Sequence, residues 1–236
     1  MRAFNALAGY PEPTVPRSVG PHMRTIHNRI IASSRGQEFY DGDRNNGYGG
    51  FVYDGRWVPI ARGMVKEYGL VNTSSVLQIN CEKGFLLHDF RQLLPGLTVR
   101  GVEISDYAIA NAMPSVRASI VKAPFTQLPF ADRTFDLVIA IGAVYALTLA
   151  DAIACLKEIQ RVGNGKSFIT LASYDTDEDK RLFEWWTLLG TTLLRSDEWV
   201  AVLTHAGYTG DYTFTTANKL HLSDASSRDG HDVSHA

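Results

Sequence analysis

Ser75-Val-Leu-Gln-Ile-Asn-Cys-Glu-Lys-Gly-Phe-Leu-Leu-His-Asp-Phe90 begins as one kind of apolar pattern and ends as another. Val76, Leu77 and Ile79 form the short apolar run of a buried strand. Phe85, Leu86, Leu87 and Phe90 are spaced for one face of a helix. Strand, tight turn and helix make the entry to a nucleotide-binding α/β unit, where the helix N-terminus and the loop amides meet a ligand. Such turns use several glycines so that backbone can approach the ligand closely. This one has only Gly84.

Downstream the same alternation repeats. Strands are expected over 98–104, 118–121, 135–141 and 166–174, with helices over 105–112, 149–162, 177–194 and 196–205 between and after them. The unbroken apolar run 135–141 suits a central parallel strand, and Ser105 suits an N-cap. Two last strands, 208–216 and 219–222, read as a closing pair. Strands alternating with helices imply a parallel sheet covered on both faces. Ligands on such sheets bind beyond the carboxyl ends of the strands. That gathers residues 80–84, 103–107, 124–127, 141–145 and 174–177 around one crevice, with Gly142 among them.

Upstream, Pro11, Pro13, Pro16 and Pro21 make residues 1–20 an extended arm rather than a packed element. Met23, Ile26, Ile30 and Ile31 support a helix ending at Gly36, and 57–68 a second one stopped by Gly69. Between them, 39–57 is rich in Gly, Asn and Asp interleaved with Tyr40, Tyr48, Phe51, Tyr53 and Trp57. It reads as a lid that bends at its glycines and excludes water with its rings, or as a surface loop pinned by its own aromatics. Residues 1–55 therefore form arm, helix and lid, 56–222 the main domain, and 223–236 a polar tail expected to be disordered.

Composition narrows the function. The formal net charge is −2 over 236 residues and the basic residues are scattered, so no nucleic-acid footprint is expected. Cys81 and Cys155 lack metal-ligand spacing, and no metal site is expected. Without a run of about 18 apolar residues or an apolar signal core, the chain is expected to be soluble and cytoplasmic, with no membrane partner. Glu103 ends the second strand of the unit, 19 residues beyond Gly84. A carboxylate there can accept both hydroxyls of a ribose, or simply cap the next helix.

With these residues placed, the chain resembles the class I S-adenosylmethionine-dependent methyltransferases over about residues 56–222. Residues 76–84 stand where that family has its glycine-rich first motif. Gly101-Val-Glu-Ile-Ser105 resembles its acidic second motif, and Leu128-Pro-Phe-Ala-Asp-Arg-Thr-Phe-Asp-Leu-Val138 its entry to the fourth strand. Residues 198–208 resemble its late helix and the start of its C-terminal hairpin. The resemblance implies a Rossmann-like α/β fold, a mostly parallel seven-stranded sheet with a C-terminal antiparallel hairpin, and S-adenosylmethionine as cofactor. The first motif departs from the family pattern: its usual acid is Gln78, its first glycine Asn80 and its central glycine Glu82. Asn can adopt positive φ, whereas Glu82 brings a charge to the methionine end of the cofactor. Ile104 and Phe125 are then expected to pack on adenine, and Arg56 to pair with the cofactor carboxylate.

Methyl transfer needs an acceptor held in line, water excluded, and a base nearby. Aromatic faces favour a sulfonium by about 0.5–2 kcal/mol. Tyr48, Tyr53, Tyr107, Tyr145 and Tyr174 are candidates for lining the reaction centre, with Tyr48, Tyr145 and Tyr174 as the catalytic choices; each also suits plain packing. His27 and His88 are the nearest possible histidine bases. The expected reaction is methylation of a small molecule. Two other readings stand beside it: an intramolecular displacement on S-adenosylmethionine that forms a small cyclic amino acid and methylthioadenosine, and a non-catalytic binding module.

Overall fold

Alternation of side chains along the strands decides the layering. In the computed structural model, which describes residues 1–227, the strands are β1 Arg2–Ala3, β2 Arg17–Val19, β3 Ser75–Ile79, β4 Thr98–Glu103, β5 Ile120–Lys122, β6 Leu137–Ala140, β7 Ser167–Tyr174, β8 Leu194–Arg195, β9 Asp211–Thr215 and β10 Leu222–Asp224. The helices are α1 Ile26–Ser33, α2 Gln37–Tyr40, α3 Val58–Tyr68, α4 Phe85–Leu93, α5 Asp106–Ala110, α6 Leu149–Val162, α7 Asp177–Trp186 and α8 Ser196–His205. Successive strand residues point to opposite faces. Val76, Leu137, Ile139 and Phe168 join Ile60, Met64, Leu86 and Phe90 of α3 and α4 on one side. Leu77, Ile79, Val138, Ile169 and Leu171 join Leu156, Ile159, Trp199 and Leu203 of α6 and α8 on the other. The result is a parallel sheet covered on both faces.

The main sheet runs β1-β9-β7-β6-β3-β4-β5, with β8 paired to the end of β7, and all of its pairings are parallel. From β3 the chain passes outward through α4 to β4 and β5. It then returns to β6 on the other side and proceeds to β7 and β9. The strand order therefore reverses between β3 and β6, and a crevice opens beyond their carboxyl ends.

Four expectations need correction. The antiparallel C-terminal hairpin is absent. After α8 the chain has crossed the sheet once more, so β9 re-enters parallel to β7. Turn residues 216–221 then carry it away, and β10 pairs in parallel with β2 of the N-terminal arm. The arm itself is packed. Arg2 donates to both carboxylate oxygens of Asp211 at 2.9 and 2.6 Å and to Glu67 at 2.7 Å, fixing β1 beside β9. The tail expected to begin at 223 is structured through the 3₁₀ turn Ala225–Ser227; residues 228–236 lie outside the described residues. The helix expected over 177–194 also stops early, at Trp186, where Thr187 turns extended.

The Leu128-Pro-Phe motif serves the fold. Arg161 of α6 donates to the carbonyls of Leu128 and Phe130 and is paired with Glu158, which accepts from the Leu128 N–H. Phe125, Leu128 and Phe135 are buried in the core beneath that clamp. Among the described residues, no helix is long and apolar enough to cross a membrane.

Trp199 is fully buried and its indole N–H donates to the Ala172 carbonyl at 2.6 Å, tying α8 to β7. Trp199→Ala is expected to cost about 3–5 kcal/mol, read as a lowered midpoint in urea unfolding.

Candidate active site

The turn after β3 has the backbone of a glycine-rich loop without its glycines. Asn80, Glu82 and Gly84 have φ of 57°, 53° and 73°. A non-glycine residue in this region costs roughly 1–2 kcal/mol. The compensation comes from Glu103. Its carboxylate is fully buried and accepts from the Glu82 N–H at 2.8 Å, the Ile104 N–H at 2.8 Å and the Ser105 N–H at 3.0 Å. Hydrogen bonds to a charged acceptor contribute about 1.5–3 kcal/mol each. Glu103 thus fixes the strained residue from the neighbouring strand. Ser105, as expected, caps α5 by accepting from the Ala108 N–H.

The 39–57 loop combines both of its readings. Its rings pack on one another, with Tyr48 on Phe51 at 4.3 Å and stacked on Tyr40 at 5.8 Å, and Phe51 stacks on Phe85 of α4 at 4.8 Å. The loop also closes over the turn. Lys83, buried, donates to both oxygens of Asp41 at 2.8 and 2.7 Å and to the Phe51 carbonyl at 2.9 Å. Tyr107 donates to Asp41 at 2.7 Å. Burial works against the Asp41 charge, but the Lys83 and Tyr107 bonds hold its carboxyl below the usual range. Arg35 donates to the Asn80 side-chain oxygen at 2.8 Å, and its carbonyl accepts from the Ser105 hydroxyl.

Beneath this lid lies a cavity of about 920 Å³. Asn80, Glu82, Gly142, Tyr48 and Tyr145 line it together, with Arg35, Phe39 and Trp186. Tyr48 keeps 38% of its surface accessible although it sits deep, because the surface it exposes is cavity wall. Its hydroxyl donates a short hydrogen bond to Glu82. Burial pushes the Glu82 carboxyl up to about 7, with the Glu103 charge adding to it and the Tyr48 bond, Arg35 and Lys83 opposing. Gly142, at φ 69°, turns the chain after β6, and its N–H donates to Thr170 at 2.9 Å.

Other expected site residues fall elsewhere. Tyr174 stands outside the cavity at the end of β7, with the Lys180 and Arg195 cations over its ring. Tyr53 donates to Asp89 at 2.5 Å and packs on His88, facing α4. Phe125 is core and cannot reach a ligand. Gln78 is buried within β3, away from the cavity, because strand alternation turns it inward. Arg56 reaches the rim but is engaged by Asp54 at 2.5–2.9 Å. Ile104 stays exposed beside Glu103. His27 is exposed on α1 and His88 contacts Ser115.

Three contributors escaped the sequence reading of the site: Arg35, Tyr40 and the Lys83–Asp41 pair. Tyr40 is fully buried, its hydroxyl lacks a well-formed hydrogen bond, and burial and the nearby Glu82 and Glu103 raise its pKa. The one sequence signal for Lys83 was its place inside the turn.

Comparison with known proteins fits this arrangement. Residues 76–164, which include the turn, Glu103 and Gly142, match the family model described as a methyltransferase domain. Over those residues the chain is similar to the methyltransferase domain. The YcgJ protein of Bacillus subtilis shares its fold with a TM-score of 0.52 and 18% identity, covering 62% of this chain and 66% of that one. A Bacillus halodurans protein assigned to the methyltransferases does so with a TM-score of 0.52 and 15% identity, over 62% and 68%. A sterol 4-C-methyltransferase of Caenorhabditis elegans, strm-1, is 34% identical over 44% of this chain. The chain spans about a third (34%) of that relative's length.

Lys83 ties the 39–57 loop to the turn after β3. Lys83→Met is expected to loosen the lid by about 2 kcal/mol, since Asp41 keeps some solvent access. Amide exchange over residues 37–53 should then quicken by more than tenfold, with that of β3 unchanged.

Proposed function

We propose that this chain is an S-adenosylmethionine-dependent methyltransferase acting on a free small molecule, neither nucleic acid nor membrane. The observation that carries the reading is the cavity under the lid, at the switch point of a sheet whose residues 76–164 match a methyltransferase domain. Its volume of about 920 Å³ lies at the upper end of the roughly 300–1,000 Å³ typical of small-molecule sites. That suits a cofactor together with a modest acceptor.

The residues present fit the cofactor. The turn has the positive-φ backbone of a nucleotide loop, a buried carboxylate ends the next strand, and an orphaned Tyr40 hydroxyl waits beside it. In the proposal, Ile104 and the 80–84 turn, held in shape by Glu103, take the nucleoside, and Asn80 and Arg35 the amino-acid end. When bound, the cofactor supplies an electrophilic methyl group on a sulfonium. Tyr48 and Tyr145 present their rings to that cationic centre. Phe39, Trp186 and the lid keep water out. Glu82 takes the proton of the acceptor at its carboxylate, held in place by the Tyr48 hydroxyl.

Titration calorimetry should show S-adenosylmethionine binding, weakened at least tenfold in Glu103→Gln, which keeps the shape of the side chain but loses an acceptor. No binding by the wild-type chain sinks the enzymatic reading. Methylthioadenosine above background from protein and cofactor alone would replace methylation by intramolecular displacement.

With its pKa near 7, Glu82 as base makes the rate climb with pH and level off above that value. Glu82→Gln should remove this limb and lower kcat/KM by about 10²–10⁴. The same shift has a stability sign. The folded state retains the Glu82 proton up to about 7, whereas the unfolded chain releases it near 4.5. Wild-type stability relative to Glu82→Gln therefore falls as pH rises between those values, measurable as the difference in Tm.

A further inference from the structure

The cations of this protein fall into two groups. Some meet a carboxylate: Lys83 meets Asp41, Arg161 meets Glu158, Arg2 meets Asp211. Four arginines in the cavity wall do not, and one of them, Arg35, is taken up by the Asn80 side chain. Arg17 on β2, Arg24 before α1 and Arg44 in the lid have no acidic partner among the described residues. Arg24 donates to the Trp186 carbonyl and, at 3.5 Å, to the Arg44 carbonyl. Arg44 donates to the Gly47 carbonyl. These bonds pin two planar forks while leaving other N–H groups free, since each guanidinium has five. Burial, and the neighbouring charges of Arg44, Arg17 and Arg29, lower the Arg24 pKa to about 10. Arg17 is lowered as well, by burial and by Arg44.

Like charges brought together in a partly dry wall destabilise the fold, and neutral carbonyls offset only part of that. An oxyanion offsets the rest, because guanidinium forks bind carboxylate and phosphate through paired hydrogen bonds. Three forks suit a multiply charged group better than a lone carboxylate. The cofactor's own carboxylate is a poorer match, since Arg35 already stands at the turn beside Asn80.

We propose that Arg17, Arg24 and Arg44 form an anion subsite in the cavity wall, which takes the phosphate, or an equivalent multiply charged oxyanion, of the small-molecule acceptor. Only the word acceptor rests on the methyl-transfer reading; the anion site stands on the arginines themselves. The strm-1 relative matches less than half of this chain, so its sterol substrate has no bearing on this subsite.

The test is calorimetry of the full chain with inorganic phosphate and with pyrophosphate, against sodium chloride at matched ionic strength. Tryptophan fluorescence gives a second readout, because Arg24 lies 5.7 Å from the Trp186 ring. The wild-type chain should bind both phosphates and not chloride. Arg24→Gln should weaken that binding about ten- to a hundredfold, with Arg24→Lys in between. Arg44→Gln, on an exposed side chain, carries the same test should Arg24→Gln fail to fold. Phosphate binding no stronger than chloride, or unchanged in both glutamine variants, overturns the subsite. Weaker S-adenosylmethionine binding in Arg24→Gln with phosphate binding intact reassigns the arginines to the cofactor and also overturns it. Failure of the wild-type chain to bind S-adenosylmethionine, with phosphate still bound, removes the methyl-transfer reading and leaves the anion site.

Discussion

The Glu103 carboxylate is the constraint on which the site depends. It ends a strand, lies fully buried, and gathers three backbone N–H groups, one of them from the neighbouring unit's turn. Without that reach across the sheet, nothing would hold a glutamate at φ 53° in the next turn. The usual solution for such a turn is glycine, which needs no compensation. Here a side chain is retained at the strained position and a carboxylate on another strand stabilises it. The turn can therefore offer a functional group, Glu82, where a glycine offers only backbone.

The lid follows from the same arrangement. Lys83, next to the strained residue, is buried and locks Asp41, while Tyr48 reaches down to Glu82 itself. Turn and lid are thus one hydrogen-bonded unit, and opening the lid must break an ion pair and a carboxylate–phenol contact together. Tyr40 is packed in the same unit with an orphaned hydroxyl, a cost that a ligand oxygen near Glu103 would remove.

Legibility in the sequence divides by range. Apolar periodicity located β3, β4, β6, β7 and the helices around them, because layering in a two-face sheet is written into strand alternation. Asn80, Glu82, Gly142, Tyr48 and Tyr145 were legible as neighbours in one cavity because a switch point brings the ends of β3 and β6 together and the aromatic loop has to cover something. Tyr174 was chosen from its strand end, Tyr53 from its place in the aromatic loop and Phe125 from the resemblance, and none of these says which way a side chain turns. Tyr174 faces Lys180 and Arg195, Tyr53 faces α4, and Phe125 is drawn into the core by the clamp around Leu128. The missing hairpin and the packed arm were illegible for a different reason. The β2–β10 and β1–β9 pairings join the two ends of the chain, and local pattern carries no signal for partners about two hundred residues apart.

That long-range closure also explains why the basic wall was hidden. Scattered basic residues were read as the absence of a nucleic-acid footprint, which concerns an open surface and says nothing of a cavity wall. Arg17 belongs to a strand that exists only by pairing with β10, Arg24 leans on the end of α7, and Arg44 sits in the lid. Each comes from a different segment, and only the folded chain brings them to one cavity. Net charge near zero is compatible with a strongly polarised interior, since the compensating carboxylates lie elsewhere. Glu82, the acid of the turn, faces the same cavity with its pKa pushed up to about 7 by burial. A proton acceptor and a cationic wall in one cavity suit a ligand that carries negative charge at one end and gives up a proton at the other.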